Sequence, residues 1–412
     1  MLVVIHHCER YVLALRDVQR CMFTLALLVF TVGCSARKGD SSPSDEAVTD
    51  SGLDTDSGLD TDSGLDTDSG LVTESGWRMT ASLAEPRGQH VSTVLSTGEV
   101  LVVGGHYNPD PLTLVEIFNP ESETWRVTDS IAVARYGGSE LGVQLENGDV
   151  LLGGQSGNPS ERFSITTETW STDASFVNDR DNYRLTLLSD GRVLVAGGMD
   201  WTLKEVMTST EIYDPATGQW SEMSPMNQGR FAHGQVLLGD GRVLVAGGNI
   251  NTAYDKIDTA EIYDPVANTW TNVGSLAVVK IGQIVSLPSG EALFVGGKTT
   301  DAILQDTEIF DPVAATWRPG PSLLEPRLEH TSTTLADGRI MVIGGRQTVD
   351  YGDGRHTVEI LDPETMTWSP GDSMVEARNE HSAVLLPSGE ILVTGGATHI
   401  GWLDSAEILT MH

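Results

Sequence analysis

The chain has 412 residues, room for one large or two ordinary domains with a sizeable core. Its formal charge of −33 argues against a nucleic-acid groove or an anionic-membrane patch, both of which need clustered Lys and Arg to neutralise phosphates. All three cysteines, Cys8, Cys21 and Cys34, lie in the first 34 residues, so the rest of the chain has neither a disulfide nor a thiolate metal site.

Arg16 and Arg20 precede the apolar run CMFTLALLVFTVGC (21–34), too short to span a bilayer comfortably but suited to the h-region of a secretory signal. Gly33-Cys34-Ser35 at its end resembles the lipobox of bacterial lipoproteins, although Thr31 stands where leucine is usual. The resemblance implies that residues 1–34 are a signal peptide, that Cys34 becomes the lipidated first residue, and that the product is exported to the cell envelope, with Ser35 pointing to the outer membrane. An ordinary secretory signal with Cys34 incidental is the alternative, and Met22 is a possible start. Residues 35–76 read as a linker. From 40 to 76 they hold 11 acidic and no basic residues, with DTDSGL three times in succession, a composition that stays extended because it has too little apolar surface to offset ordering entropy. Calcium-loop spacing is imperfect there, since Gly58 arrives one position early.

From residue 77 onward two phrases alternate. The first is a hairpin ending in a diglycine: STGEVLVVGG (96–105), ENGDVLLGG (146–154), SDGRVLVAGG (189–198), GDGRVLVAGG (239–248), PSGEALFVGG (288–297), ADGRIMVIGG (336–345) and PSGEILVTGG (387–396). Asp240-Gly241 predicts a two-residue type I′ turn, and the β-branched residues after it predict a strand. The second phrase joins Glu and a β-branched or aromatic strand to a turn and a Trp, as in EIFNPESETW (116–125), EIYDPATGQW (211–220) and EIFDPVAATW (308–317). Each unit is therefore two hairpins. Four strands repeating at about 48 residues suit a propeller blade, whereas a helical solenoid would need amphipathic stretches of period 3.6.

Arg-x-x-His, then the diglycine, then Tyr-Asp-Pro and Trp resembles the kelch motif, and the resemblance runs from residue 77 to 410. It implies an all-β, seven-bladed kelch-type β-propeller over 77–412 with four antiparallel strands per blade, called A to D from the axis outward, like the central domain of galactose-oxidase-like proteins. The last copy, EILTMH (407–412), lacks a Trp, while Trp77 has no Glu-Ile phrase before it. The two fragments predict a ring closed by an N-terminal outermost strand beside 405–410.

In such a blade the A–B and C–D turns share one face, and the other carries the variable segments 106–115, 155–160, 199–210, 249–260, 298–307, 346–358 and 397–406. Tyr107, Trp201, Tyr254, Tyr351, His356 and Trp402 fall in these segments, either to pack against blade edges or to meet a ligand. Arg87, Arg135, Arg180, Arg230, Lys280, Arg327 and Arg378 open the A strands, and Glu116, Glu161, Glu211, Glu261, Glu308, Glu359 and Glu407 open the C strands. Seven internal ion pairs are one reading of that pattern; a cationic collar that captures an anionic ligand is the other. His90, His233, His330 and His381, three residues after their cations, are spread around the ring and predict structural hydrogen bonds rather than a metal site.

The resemblance covers proteins that bind proteins or glycans and enzymes alike. A binding or adhesion module for a protein or glycan at the cell envelope, monomeric, without cofactor or metal, and touching the membrane only through its lipid, is one expectation. A carbohydrate-active enzyme such as a sugar epimerase or lyase is the other. Copper-radical oxidases of similar blade pattern need a cysteine crosslinked to tyrosine, and residues 77–412 contain no cysteine.

Overall fold

The computed structural model describes residues 76–107, 110–135, 137–138, 141–348 and 354–411. The signal segment, Cys34, the acidic linker before residue 76, and Tyr351 lie outside the described residues. From Gly76 on, the described residues form seven four-stranded antiparallel sheets. Blade 1 is typical: Val91–Val94, Val100–Val103, Val115–Asn119 and Thr124–Val127 pair in that order. The A strands of successive blades touch one another around a closed ring, the seventh (Ser382–Leu385) meeting the first (Val91–Val94).

Binary pattern explains the layering. The B strands, such as VLVV at 100–103 and VLVA at 193–196, are buried along their whole length because sheets cover both of their faces. Core clusters accordingly straddle neighbouring blades, for example Val100 and Phe118 of blade 1 with Leu392 and Ile408 of blade 7. Opposite each C-strand aromatic or leucine stands the D-strand tryptophan, as in Phe118↔Trp125, Tyr213↔Trp220, Tyr263↔Trp270 and Leu361↔Trp368.

Closure follows the predicted pairing. Gly76–Met79 pairs with Ala406–Thr410, Trp77 opposite Leu409, and becomes the outermost strand of blade 7. Trp77 Nε1 donates to Asp372 O at 2.8 Å, so the closing strand is also tied to the preceding connection.

The A–B hairpins depart from expectation. Gly241 N donates to Leu238 O at 3.0 Å and Leu238 N to Arg242 O at 2.8 Å, the bonds of a three-residue loop in which a type I turn is followed by a left-handed glycine. Only the glycine, at φ 85°, leaves the negative-φ regions; Asp240 instead accepts Arg242 N through its carboxylate at 3.1 Å. The type I′ expectation is thus corrected. An aspartate that can brace the loop locally has no need of positive φ, and the same pair of backbone bonds recurs in all seven blades.

The diglycines link blades. Gly105, Gly198, Gly248, Gly297, Gly345 and Gly396 donate their N–H to the carbonyls of Arg135, Arg230, Lys280, Arg327, Arg378 and Arg87, each in the following blade, so that the last bond returns to the first. Gly396 shows why the residue is glycine: its φ is 100°, and a Cβ there would stand 2.7 Å from Asn379 O.

Candidate functional site

The face opposite the tight A–B turns is built around the repeated cation and glutamate. All seven cations are buried, and each meets the glutamate of its own blade: Arg87–Glu116 at 2.5 Å, Arg135–Glu161 at 2.7 Å, Arg180–Glu211 at 2.5 Å, Arg230–Glu261 at 3.0 Å, Lys280–Glu308 at 2.6 Å, Arg327–Glu359 at 2.9 Å and Arg378–Glu407 at 2.6 Å. The guanidinium reaches further. Arg230 Nη1 donates to Gly247 O at 2.9 Å and Thr259 O at 2.8 Å, tying the end of strand B to the start of strand C. Glu261 in turn accepts Asn227 N at 2.7 Å and Gln228 N at 3.0 Å from the connection that enters the blade.

Each of the six arginine pairs is therefore a clamp on three chain segments. It works because a planar fork and a two-oxygen acceptor satisfy several backbone groups that would otherwise be orphaned. Lys280 has no fork; its ammonium meets Glu308 and lies 4.6 Å from the Phe294 ring centroid. Burial pulls the Arg87, Arg180, Arg230 and Lys280 cations below their usual values, and the partner carboxylates pull them back. The internal-pair reading describes this geometry; none of the seven heads is open to solvent as a collar would require.

The histidines sit one layer in. His90 Nε2 lies 2.8 Å from Thr394 Oγ1 and His381 Nε2 lies 3.1 Å from Thr331 Oγ1, each across a blade boundary. His233 Nε2 lies 3.3 Å from Gln235 Oε1 of its own blade. Burial, reinforced by the neighbouring arginines, pushes His90, His233 and His330 down to about 3, and His381 well below its ordinary value. They are neutral packing groups at any physiological pH. Among the described residues, no three His, Cys, Asp or Glu side chains come together as a metal site would need.

The residue two positions after the cation forms the inner rim. Gln89, Asn182, Ala232, Glu329 and Glu380 all hold positive φ, between 50° and 57°, and backbone bonds join them across blades: Gln89 N to Glu380 O at 2.9 Å, Glu380 N to Glu329 O at 3.2 Å, and Ala232 N to Asn182 O at 3.0 Å. Their side chains give this rim an acidic side. Gln89 Nε2 donates to Glu380 Oε1 at 2.9 Å, and Arg346 grips Glu329 with two bonds of 2.6 Å. Burial, with the Glu329 charge beside it, pushes Glu380 up to about 7. In blade 3, burial pushes Asp181 up to about 6 even though Ser156 Oγ donates to it at 3.1 Å.

Aromatic side chains occupy the outer loops. Trp201, Phe231 and Tyr254 form a three-ring cluster with centroids 5.8–6.4 Å apart; Phe231 is its buried base and Tyr254 is 51% exposed. Trp201 Nε1 donates to Asn182 Oδ1 at 3.2 Å, joining this cluster to the rim. Trp402 stacks edge-on with His106 at 4.2 Å and covers the backbone of Gly88, where a Cβ would stand 2.2 Å from its ring. Trp201 and Tyr254 are thus brought together, while Trp402 belongs to a separate cluster at the boundary of blades 7 and 1. The rim carboxylates escaped the sequence reading, although Arg-x-Glu-His at 327–330 and its counterpart at 378–381 carried the signal.

Comparison with known proteins places these features. The Kelch motif matches residues 87–128, 185–227, 231–277 and 327–375. A tRNA wybutosine-synthesizing protein 4 of Saccharomyces cerevisiae is 37% identical over 73 residues, 18% of this chain and 10% of that protein. An F-box/kelch-repeat protein of Arabidopsis thaliana is 36% identical over 89 residues, 21% of each chain. The matched stretches span only about a tenth and a fifth of the lengths of those relatives. Among solved structures, a fungal alcohol oxidase of the AA5 family in complex with copper superposes with a TM-score of 0.65 at 19% identity, covering 82% of this chain and 76% of that one. That likeness is one of fold.

Proposed function

We propose that this seven-bladed propeller with its Kelch motifs is a binding module that receives a protein on its variable-loop face, acts as a monomer, and is exported and held at the cell envelope by a lipid on Cys34. The observation that carries the reading is a division of labour. Every repeated cation is consumed by its own glutamate, and what the loop face presents outward is particular to single blades: exposed Tyr107 and Tyr254 and the half-buried Trp201 and Trp402. Kelch propellers commonly serve as protein-binding modules, and rigid blades carrying unlike loops suit that role.

A second reading, a carbohydrate-active enzyme such as a sugar epimerase or lyase, draws on Glu380 and Asp181. Carboxyls that hold a proton close to neutrality are what general acid–base chemistry uses. Screening the full chain on protein and glycan arrays, with mass analysis of the incubated sugars, separates the two. Capture of a protein that is lost in Trp201→Ala/Tyr254→Ala supports the binding module, and conversion of any sugar overturns it. For the anchor, fatty-acid labelling that disappears in Cys34→Ala is the expected result; labelling that persists would refute it.

A further inference from the structure

The junction between blades 2 and 3 breaks the pattern of the others at two places. The C-strand position after the repeated glutamate is isoleucine in blades 1, 3, 4, 5, 6 and 7 (Ile117, Ile212, Ile262, Ile309, Ile360 and Ile408), but blade 2 has Arg162. The second departure lies in the C–D turn of blade 3. Five of the six C–D turns place a side chain at their left-handed position, namely Glu123, Glu168, Asn268, Ala315 and Met366, and blade 3 places Gly218 there.

Those five side chains fill the junction with the preceding blade. Glu123 takes Arg78 at 2.7 Å, Glu168 takes Arg126 at 2.7 Å, and Asn268 Oδ1 accepts Ser224 N at 2.9 Å. Ala315 and Met366 pack on the apolar clusters between blades. With no side chain at Gly218 the space stays unfilled, as an open pocket of about 460 Å³ walled by Arg162, Asp173, Thr172, Thr217, Gly218 and Gln219 together with two alanines and a proline. A Cβ on Gly218 would point into it, 3.2 Å from Asp173 Oδ1.

We infer that this cavity is a binding site for a small hydroxylated carboxylate of the sugar-acid class. Its guanidinium is loosely held. Arg162 lies 3.2 Å from Asp173 Oδ2, 3.4 Å from Asp173 Oδ1 and 3.4 Å from Pro215 O, against 2.5–3.0 Å for the seven clamps, so its donors retain capacity for a carboxylate. Asp173 is anchored from behind by the Tyr213 hydroxyl at 2.5 Å and keeps Arg162 aimed along the wall. Hydroxyls of Thr172 and Thr217 and the Gln219 amide suit a ligand rich in hydroxyl groups, and no aromatic side chain is among the lining residues to favour an apolar one. The site lies at the outer junction of two blades, so it stands independently of the loop-face reading.

Calorimetric titration of the full chain with D-glucuronate, with D-glucose as the neutral counterpart, tests the inference. The expected Kd for glucuronate is on the order of 1 mM, as suits a small open site. Glucose should bind at least tenfold more weakly, as should glucuronate to Arg162→Ile and to Gly218→Asn, with Arg162→Lys in between. Arg162→Ile takes the cation from the nearly buried Asp173, and Gly218→Asn sets a Cβ at φ 68° and 3.2 Å from Asp173 Oδ1, so both should melt somewhat below the parent chain and binding is read on the folded protein; if either fails to fold, the other decides with Arg162→Lys. Absence of a saturable response at roughly ten times the expected Kd, equal binding to glucose, or full binding by a folded Arg162→Ile would each overturn it. Trp201→Ala/Tyr254→Ala should retain glucuronate binding, which separates this site from the loop face.

Discussion

Replacing Arg230 by alanine is the sharpest test of the clamp. Four hydrogen bonds vanish: to Gly247 O at 2.9 Å, Thr259 O at 2.8 Å, Thr259 Oγ1 at 3.2 Å and Glu261 Oε1 at 3.0 Å. Glu261 keeps three donors, Asn227 N, Asn227 Nδ2 and Gln228 N, and Thr259 O keeps Gly247 N, so the loss falls mainly on the uncompensated charge and on Gly247 O. Breaking one side of a buried pair costs about 3–5 kcal/mol. At an unfolding entropy of about 2.1 cal/mol/K per residue, a cooperative unit of this size loses roughly 1.4 °C per kcal/mol, so the melting temperature should fall by about 4–7 °C. Adding Glu261→Gln removes the buried charge and should recover part of that fall, and Arg230→Lys should cost less than alanine because blade 5 already uses Lys280. Differential scanning calorimetry near neutral pH reads all three, and the loss should hardly change with salt because neither partner is exposed. Parent-like stability in Arg230→Ala, or a double variant less stable than the sum of the two single changes, would refute the reasoning.

Acid should weaken the propeller through its histidines. Their folded values lie near 3 against about 6.5 in an unfolded chain, so their contribution is fully present above pH 6.5 and is lost as pH falls from there toward 3. Each contributes a slope of up to about 1.4 kcal/mol per pH unit, and urea midpoints across that window should decline less steeply in His233→Gln; an unchanged slope would count against it. Deleting residues 74–80 removes the closing strand with its half-buried Trp77 and should lower the melting temperature, whereas deleting 40–70 should leave the melting temperature where it was. Thermal scans check both deletions. Gly396→Ala forces a Cβ to within 2.7 Å of a carbonyl at φ 100° and should lower the melting temperature by several degrees, while Gly389→Ala, strained at φ 89° but with nothing within 4 Å, should cost less.

What could be read from the letters was whatever a side chain announces. Paired hairpins, the Trp facing each C strand and the split seventh blade have residue types that admit one structural use at that spacing, whereas the repeated cation and glutamate admitted two, a pair or a collar, until their burial was seen. Backbone donors have no letter of their own. The amides of Asn227 and Gln228 that hold Glu261 lie in a connection whose sequence differs from blade to blade, so the clamp was legible as a pair and not as a staple on three segments. The turn was misjudged for a related reason: Asp-Gly serves both the two-residue loop and the longer one, and the choice between them rests on hydrogen bonds at Leu238 and Arg242. Glu329 and Glu380 were visible only as variable letters inside Arg-x-x-His, because nothing in a single sequence says that five such positions share a left-handed backbone.

The closing strand sets an order of events. Gly76–Met79 precedes every A strand in the chain, yet its partner Ala406–Thr410 follows all seven of them. Contacts so far apart in sequence form slowly and late. Until they do, the apolar flank of blade 1, with Val100, Val102 and Phe118, has no Leu392 or Ile408 to cover it, and the Gly396 to Arg87 bond is also missing. A chain interrupted anywhere before residue 406 would therefore be left with two sticky ends that fit each other's counterparts on neighbouring copies, an invitation to join head to tail into open strings. Pairing of the two distant segments is what turns that hazard into a ring.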